Sequence, residues 1–258
     1  MLFWRELERL KATRPKPTDR PFVTAAFAIS CDGCLAGTRG CSSAISGPAA
    51  LRVTHQLRAT YDALLVGVGT VISDDPLLTT RLVPGPSPLR IVLDSHLRTP
   101  DTARLLRAPT RQPWLVTTEQ TSSPRAQTLQ ARGAHLVQVD GSNDGVSLPA
   151  VLAHLAACGV RSLMLEGGAH VLESFFRCGC VDYVALTVAP EPLGNPNAVA
   201  LGESTRLVLG NWRAHYSMLL GRDRLDAGPC VSLRAPIGRA RAALTNDVSR
   251  VSRLRMGS

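Results

Sequence analysis

From Phe22 to Ala189 the chain alternates short apolar runs with stretches of helical spacing, and this rhythm constrains its fold more than any other feature. The apolar runs cover 22–29, 62–67, 89–94, 114–117, 135–140, 162–165 and 183–189, with helical stretches at 48–60, 124–132, 148–158 and 169–177. Strands alternating with helices predict an α/β domain with a mostly parallel central sheet and helices on both faces. In such a domain the ligand site lies beyond the carboxyl ends of the strands. Residues 205–234 break the rhythm, and their apolar segments, separated by Gly210-Asn211 and Asp226-Ala-Gly228, predict antiparallel strands that finish the sheet.

The two ends read differently from this body. Leu2, Phe3, Leu7 and Leu10 stand at near-helical spacing before Arg14-Pro-Lys-Pro-Thr-Asp-Arg-Pro21 breaks the helix, so residues 1–20 are expected to be a leader helix and linker. Residues 21–235 form the domain, and 236–258, with spaced arginines and no compact apolar pattern, form a basic, flexible tail. The net charge of +9 sits mostly in these ends: six basic against three acidic side chains in 1–20, five arginines against Asp247 in 236–258. The body is therefore nearly neutral, without the dense basic face that a phosphate backbone requires, and the aromatic content of 4% leaves little for base stacking. Nucleic acid is not an expected partner.

The longest nearly uninterrupted apolar run, Ala63 to Ile72, falls short of the about 18 residues that cross a bilayer, so no membrane span is expected. Seven scattered cysteines, an odd number, suit a reducing compartment. Arg5, Glu6, Glu8 and Arg9 interrupt any signal-like apolar region, which makes the cytoplasm the expected location.

Several apolar runs end in glycine or carboxylate. Ser30-Cys-Asp-Gly33 follows the first run and reads as a tight turn. Gly67-Val-Gly-Thr70, followed by Asp74-Asp-Pro76, ends another; Ile72 stands where a dinucleotide fingerprint needs its third glycine, and no Lys-Ser/Thr pair makes a phosphate loop. Two glycines at a strand end still let the backbone approach a flat or anionic ligand, and an adjacent carboxylate such as Asp74 suits proton carriage or hydrogen-bond acceptance. Ser162-Leu-Met-Leu165 runs into Glu166-Gly-Gly168 and then a helix, a ready anion site with a carboxylate beside it that burial would suit to hydrogen-bonding a substrate or donating a proton. Leu93-Asp-Ser95, with Arg98 nearby, is a further strand end. Arg58 and Arg81 are the cations in the body best suited to a phosphate or carboxylate. Cys31-x-x-Cys34 has metal-like spacing, but it flanks a turn and no second such pair exists, so no metal is expected.

Taken in order, these words form a pattern. Ser30-Cys-Asp-Gly33, Ser43-Ala-Ile-Ser-Gly47, His55-Gln-Leu-Arg-Ala59, Asp62-Ala-Leu-Leu-Val-Gly-Val-Gly-Thr70, Asp74-Asp-Pro-Leu-Leu-Thr79 with Arg81, Pro88-Leu-Arg-Ile-Val-Leu-Asp-Ser95, Leu165-Glu-Gly-Gly168, Val181-Asp182, Ala189-Pro190 and Leu193-Gly194 resemble the pyrimidine reductases of riboflavin biosynthesis over about residues 21–235. The resemblance implies a dihydrofolate-reductase-like fold, a homodimer, and NADPH-dependent reduction of a phosphorylated ribosylaminopyrimidine to its ribitylamino product, with NADH not excluded as donor. It places cofactor contacts on Ala28, Thr70, Asp74, Ser95 and the stretch from Gly168 to Ser174, within which Gly168, Ala169, His170, Val171 and Leu172 are candidates beside Gly67, Gly69 and Gly167. Substrate contacts fall on Ser42, Ser46, Arg58, Leu78, Arg81 and Glu166, with Asp74 or Glu166 assisting proton transfer. Ser95 and Arg98 are the expected neighbours of a cofactor 2′-phosphate.

Two positions depart from many bacterial members, which carry Lys where this chain has Ala26 and Trp where it has Ala44. The departures fit the stand-alone archaeal-type reductases, a divergent substrate or a lost activity. No H-x-E with a downstream P-C-x-x-C is present, so any deamination is expected to fall to another protein. Two rivals remain: a reductase of another pterin-like or pyrimidine substrate, dihydrofolate included, and a non-catalytic nucleotide-binding relative whose basic ends hold a protein or RNA partner.

Overall fold

A computed structural model describes residues 2–13, 19–38, 45–120, 122–142 and 145–230. In chain order these form α1 (Leu2–Ala12), β1 (Phe22–Ser30), β2 (Cys34–Ala36), α2 (Pro48–Thr60), β3 (Ala63–Gly67), α3 (Val68–Asp74), β4 (Leu89–Leu93), α4 (Arg104–Arg107), β5 (Trp114–Thr117), α5 (Pro124–Ala131) and β6 (His135–Gln138). There follow β7 (Gly141–Ser142), β8 (Gly145–Val146), α6 (Leu148–Ala157), β9 (Ser162–Leu165), α7 (Ala169–Arg177), β10 (Tyr183–Ala189), β11 (Val199–Ala200), α8 (Glu203–Asn211), β12 (Tyr216–Leu220) and β13 (Asp223–Pro229). No helix among the described residues is long and apolar enough to cross a membrane.

Nine strands make the main sheet in the order β12-β13-β10-β1-β9-β3-β4-β5-β6. From β10 to β6 every neighbour is parallel, whereas β13 and β12 return antiparallel at the other edge. This is the expected α/β arrangement. Strand β9 enters late and inserts between β1 and β3, so its end opens into the crevice where the chain changes direction across the sheet.

The pleat divides the core. Leu64 and Val66 of β3 face a cluster with Leu57 of α2, Val71 of α3, Leu105 of α4 and Leu129 of α5, whereas Ala63 and Leu65 face Leu155 of α6 and Phe175 of α7. Helices α1 to α5 cover the first face and α6 to α8 the second. Helix α1 belongs to this core: Phe3 and Leu7 are buried against it, Glu6 accepts from Tyr183 Oη at 3.1 Å, and Lys11 Nζ donates to the Thr60 carbonyl at 2.9 Å. The tail expected over 236–258 lies outside the described residues.

The C-terminal segment differs from its sequence reading in two places. Residues 203–211 form α8, despite Gly210, because Val208 and Leu209 pack on the second core and Trp212 Nε1 anchors the helix end to the Pro229 carbonyl at 2.9 Å. The hairpin turns at Gly221 (φ 69°), whereas Asp226-Ala-Gly228 lies within β13. Gly228 is there for close approach: a Cβ would stand 2.8 Å from the His215 amide nitrogen.

Candidate active site

The carboxyl ends of β1, β3, β4 and β9 open into a cleft of about 1440 Å³. Two strand-to-helix junctions stand side by side on its floor. At one, Gly67 passes from β3 into α3; at the other, Glu166 continues the ladder by donating to the Leu65 carbonyl at 3.0 Å before Gly167-Gly168 enters α7. The glycines bring the junctions together, since a Cβ on Gly67 would stand 2.6 Å from Val171 Cγ2 and one on Gly168 would stand 3.6 Å from Thr70 Oγ1. No side chain caps α7, so the amides of its first turn are left to the cleft that Gly168, Ala169 and His170 line.

At the mouth of β9, Arg58 from α2 grips Glu166 with two parallel bonds, Nε to Oε1 at 2.7 Å and Nη2 to Oε2 at 2.6 Å. Its third nitrogen donates to the Thr79 carbonyl at 3.0 Å. Burial works against the Arg58 charge, but the Glu166 carboxylate outweighs it and moves the guanidinium pKa up. Glu166 thus faces the cleft as a carboxylate paired with Arg58 and able to accept further hydrogen bonds. Arg58, for its part, is already engaged. Arg81 is the exposed cation nearby: partial burial and the charges of Arg58 and Arg104 push its pKa down, with Glu166 opposing, and it forms no ion pair among the described residues.

The far end of the cleft is built by the loop after β4. Asp94 is fully buried and accepts from Arg98 N at 2.8 Å and from Thr99 N and Oγ1 at 2.7 Å, which folds residues 94–99 back and leaves Leu97 at φ 51°. The fold-back aims Ser95, His96 and Arg98 at the cleft. Ser95 Oγ also accepts from Val146 N at 3.1 Å and so holds the β7–β8 hairpin against this end.

Of the residues singled out by sequence, the cleft is lined by Ala28, Ser46, Arg58, Gly67, Gly69, Thr70, Asp74, Ser95, Glu166, Gly167, Gly168, Ala169, His170 and Val171. Three stand apart. Leu172 is fully buried beneath α7, because helical periodicity puts it on the same face as Phe175 and Phe176, while His170, Val171 and Ser174 look into the cleft. Leu78 packs in the first core at φ 56°, and Arg81 lies beside the lining without joining it. Ser42 and the departure at Ala44 lie outside the described residues. Asp74 sits at the end of α3 and not at a strand mouth, with Ser73 Oγ donating to it at 2.7 Å, while Asp75 caps that helix in a left-handed conformation and accepts from Arg104 N at 2.8 Å. Thr187 of β10 also lines the cleft without a signal in the sequence, and Asp94, within the strand end Leu93-Asp-Ser95, forms the turn itself, a role signalled by an Asp five residues before a Thr.

The long cleft, the uncapped helix start and the cationic far end together fit an extended anionic cofactor: Gly69, where a Cβ would meet nothing within 4 Å, leaves room for it beside α3. Ser30-Cys-Asp-Gly33 is the turn expected of it, with Gly33 at φ 81° and Asp32 accepting from Gly194 N at 3.1 Å.

Comparison with known proteins gives this geometry a relationship. The RibD C-terminal domain family matches residues 21–220. The 2,5-diamino-6-ribosylamino-4(3H)-pyrimidinone 5′-phosphate reductase of Methanothermobacter thermautotrophicus is 39% identical over 187 residues, covering 70% of this chain and 83% of that one. The riboflavin biosynthesis protein RibD of Aquifex aeolicus is 36% identical over 177 residues, covering 68% of this chain, which spans about half (48%) of that longer protein. Among solved structures, Acinetobacter baumannii RibD superposes with a TM-score of 0.68 at 27% identity, over 82% of this chain and 59% of that one. Saccharomyces Rib7 shares the fold at a TM-score of 0.69 and 21% identity, over 88% and 98%. The fold is thus the dihydrofolate-reductase-like one expected from the motifs. By the extent of the family match and the identity to these reductases, the chain belongs to the RibD C-terminal domain family.

Proposed function

We propose that this chain is a cytoplasmic, homodimeric, NADPH-dependent reductase that converts the ribosyl group of a 6-(5-phosphoribosylamino)pyrimidine to the ribitylamino product. The observation that supports the reading is the Arg58–Glu166 pair, which holds an acceptor at the end of β9 beside a helix start suited to a pyrophosphate, while Arg81, with no ion pair among the described residues, is a cation suited to a sugar phosphate. The Methanothermobacter relative, which the chain covers over most of its length, is named for such a substrate.

Gly67, Gly69, Thr70, Asp74, Ser95 and Gly167 to Val171 would hold the nucleotide, with Ser95 and Arg98 at a 2′-phosphate. When bound, the reduced nicotinamide supplies hydride to the sugar C1′ of the ring-opened imine. The chain's own residues do the rest. Glu166 accepts hydrogen bonds from substrate donors, Arg81 binds the phosphate, and Asp74, whose carboxylate accepts from Ser73 at the cleft surface, assists delivery of the balancing proton to nitrogen. Holding the two reacting carbons together in a largely apolar cleft supplies most of the rate.

Loss of absorbance at the reduced nicotinamide band, with NADPH or NADH and the substrate in aminated and deaminated forms, tests this directly. Oxidation with either substrate supports the reading and identifies the preferred donor. Saturable NADPH binding with no oxidation by either substrate overturns it. Light scattering on the same sample reads the dimer.

A further inference from the structure

One buried group stands against the site without lining it. His55 lies on α2, one turn before Arg58, and is fully buried. Its Nδ1 accepts the backbone N–H of Arg81 at 3.0 Å and, more weakly, that of Leu82 at 3.5 Å. Accepting at Nδ1 puts the imidazole proton on Nε2, which has no hydrogen-bond partner. A buried polar atom left unpaired costs stability, so this imidazole occupies a position where an apolar side chain would pack at least as well. What it gains there is the bond to Arg81.

The same helix face makes a second contact with the same segment. Three residues on, Arg58 donates to the Thr79 carbonyl at 3.0 Å, so α2 holds residues 79–82 at two points, one through an acceptor and one through a donor. The other two contacting nitrogens of Arg58 are on Glu166. The Arg81 guanidinium, by contrast, makes no hydrogen bond within the described residues, so the contact that holds Arg81 is the one at its backbone. An arginine that meets a ligand from an unfixed backbone must be ordered on binding, at a cost in affinity.

We propose that His55 is a positioning residue: its imidazole Nδ1 fixes the Arg81 backbone so that the guanidinium is ready for the substrate's phosphate. This rests on the reductase reading above. Burial and the charges of Arg58, on its own helix, and Arg81, on the clamped segment, push the His55 pKa down to about 4, which keeps Nδ1 an acceptor through the neutral range.

Two variants test it. His55→Asn returns an acceptor oxygen near the Nδ1 position, whereas His55→Leu keeps bulk and offers none. With the phosphorylated substrate, His55→Leu should raise KM about tenfold with kcat and the cofactor KM within about twofold, and His55→Asn should recover most of the loss. With the dephosphorylated substrate the three proteins should match. A fall in kcat in His55→Leu at unchanged substrate KM, equal KM increases for phosphorylated and dephosphorylated substrates, or an Asn variant as impaired as the Leu variant, overturns the proposal. If the unsubstituted protein reduces no ribosylaminopyrimidine phosphate, the reductase reading has failed, and calorimetric binding of ribose 5-phosphate decides His55 separately. Weaker binding in His55→Leu with recovery in His55→Asn then supports it, and equal or absent binding in all three overturns it.

Discussion

Both carboxylate oxygens of Glu166 are held by the Arg58 guanidinium, at 2.7 and 2.6 Å, across 108 residues of chain. The pair joins α2 to the end of β9, and with side chains only 9% and 14% exposed neither charge is well placed to return to water. Arg58→Ala strands the carboxylate, and the expected destabilisation is about 3 kcal/mol, read as a lower denaturation midpoint. Arg58→Lys keeps charge without the two-pronged geometry and should fall between the two. Glu166→Gln retains much of the packing but weakens an acceptor at the reacting end of the cleft, and turnover should drop by about tenfold or more while the fold persists. Full activity in Glu166→Gln would remove the residue from the site.

Arg81 should behave in the opposite way. It is exposed and forms no ion pair among the described residues, so Arg81→Ala should leave the denaturation midpoint nearly unchanged, within about 0.5 kcal/mol. Its effect belongs to binding: loss of a charge-assisted phosphate contact of about 1.5–3 kcal/mol corresponds to a KM increase of roughly 10- to 150-fold for the phosphorylated substrate. Steady-state kinetics with and without the phosphate separates this from a general loss of activity.

Glu173 ties two helices that the sequence does not link. Its Oε1 accepts from Ser204 N at 2.9 Å and its Oε2 from Thr205 N and Oγ1 at 3.1 Å, so a carboxylate on α7 caps the start of α8. Burial raises its pKa, but these hydrogen bonds outweigh burial and hold it below the ordinary 4.5. A carboxylate depressed on folding contributes stability that is complete above its unfolded pKa and is lost as pH falls through the folded one. Glu173→Gln should cost about 1 kcal/mol near neutrality, and the two proteins' denaturation midpoints should converge as pH drops below 4.5.

The parts legible in the sequence are those governed by local pattern. Ala63–Gly67 is apolar throughout and wholly buried, and Pro48–Thr60, opened by proline, is a helix over the span that its spacing predicts. Glu166-Gly-Gly168 could be read as a strand end feeding an uncapped helix for the same reason. What could not be read depends on partners distant in sequence. Nothing beside Gly210 signals that Glu173 and the Pro229 carbonyl anchor α8 at both ends. The partner of Glu166 sits on α2, 108 residues away, and so has no signal beside Glu166, and a contiguous stretch from Gly168 to Ser174 does not separate the buried face of α7, with Leu172, from the face that lines the cleft.

The closeness of the two junctions beneath the cleft yields a prediction whose two arms differ by a single carbon. Gly67 and Gly167 both lie against Val171, a side chain with little freedom about χ1. A Cβ at 67 would stand 2.6 Å from Val171 Cγ2, whereas a Cβ at 167 would stand 2.8 Å from Val171 Cβ and 3.0 Å from Cγ1. Gly67→Ala forces the start of α7 away from β3, and Gly167→Ala forces the first turn of α7 away from its own lead-in, each at about 1–3 kcal/mol, and both should weaken nucleotide binding measured by fluorescence titration. Adding Val171→Ala removes both γ carbons but keeps the β carbon. It should therefore restore most of the loss in Gly67→Ala and little of it in Gly167→Ala. Equal rescue of both would mean that the helix start shifts freely, and that Gly67 does not set the spacing of the junctions.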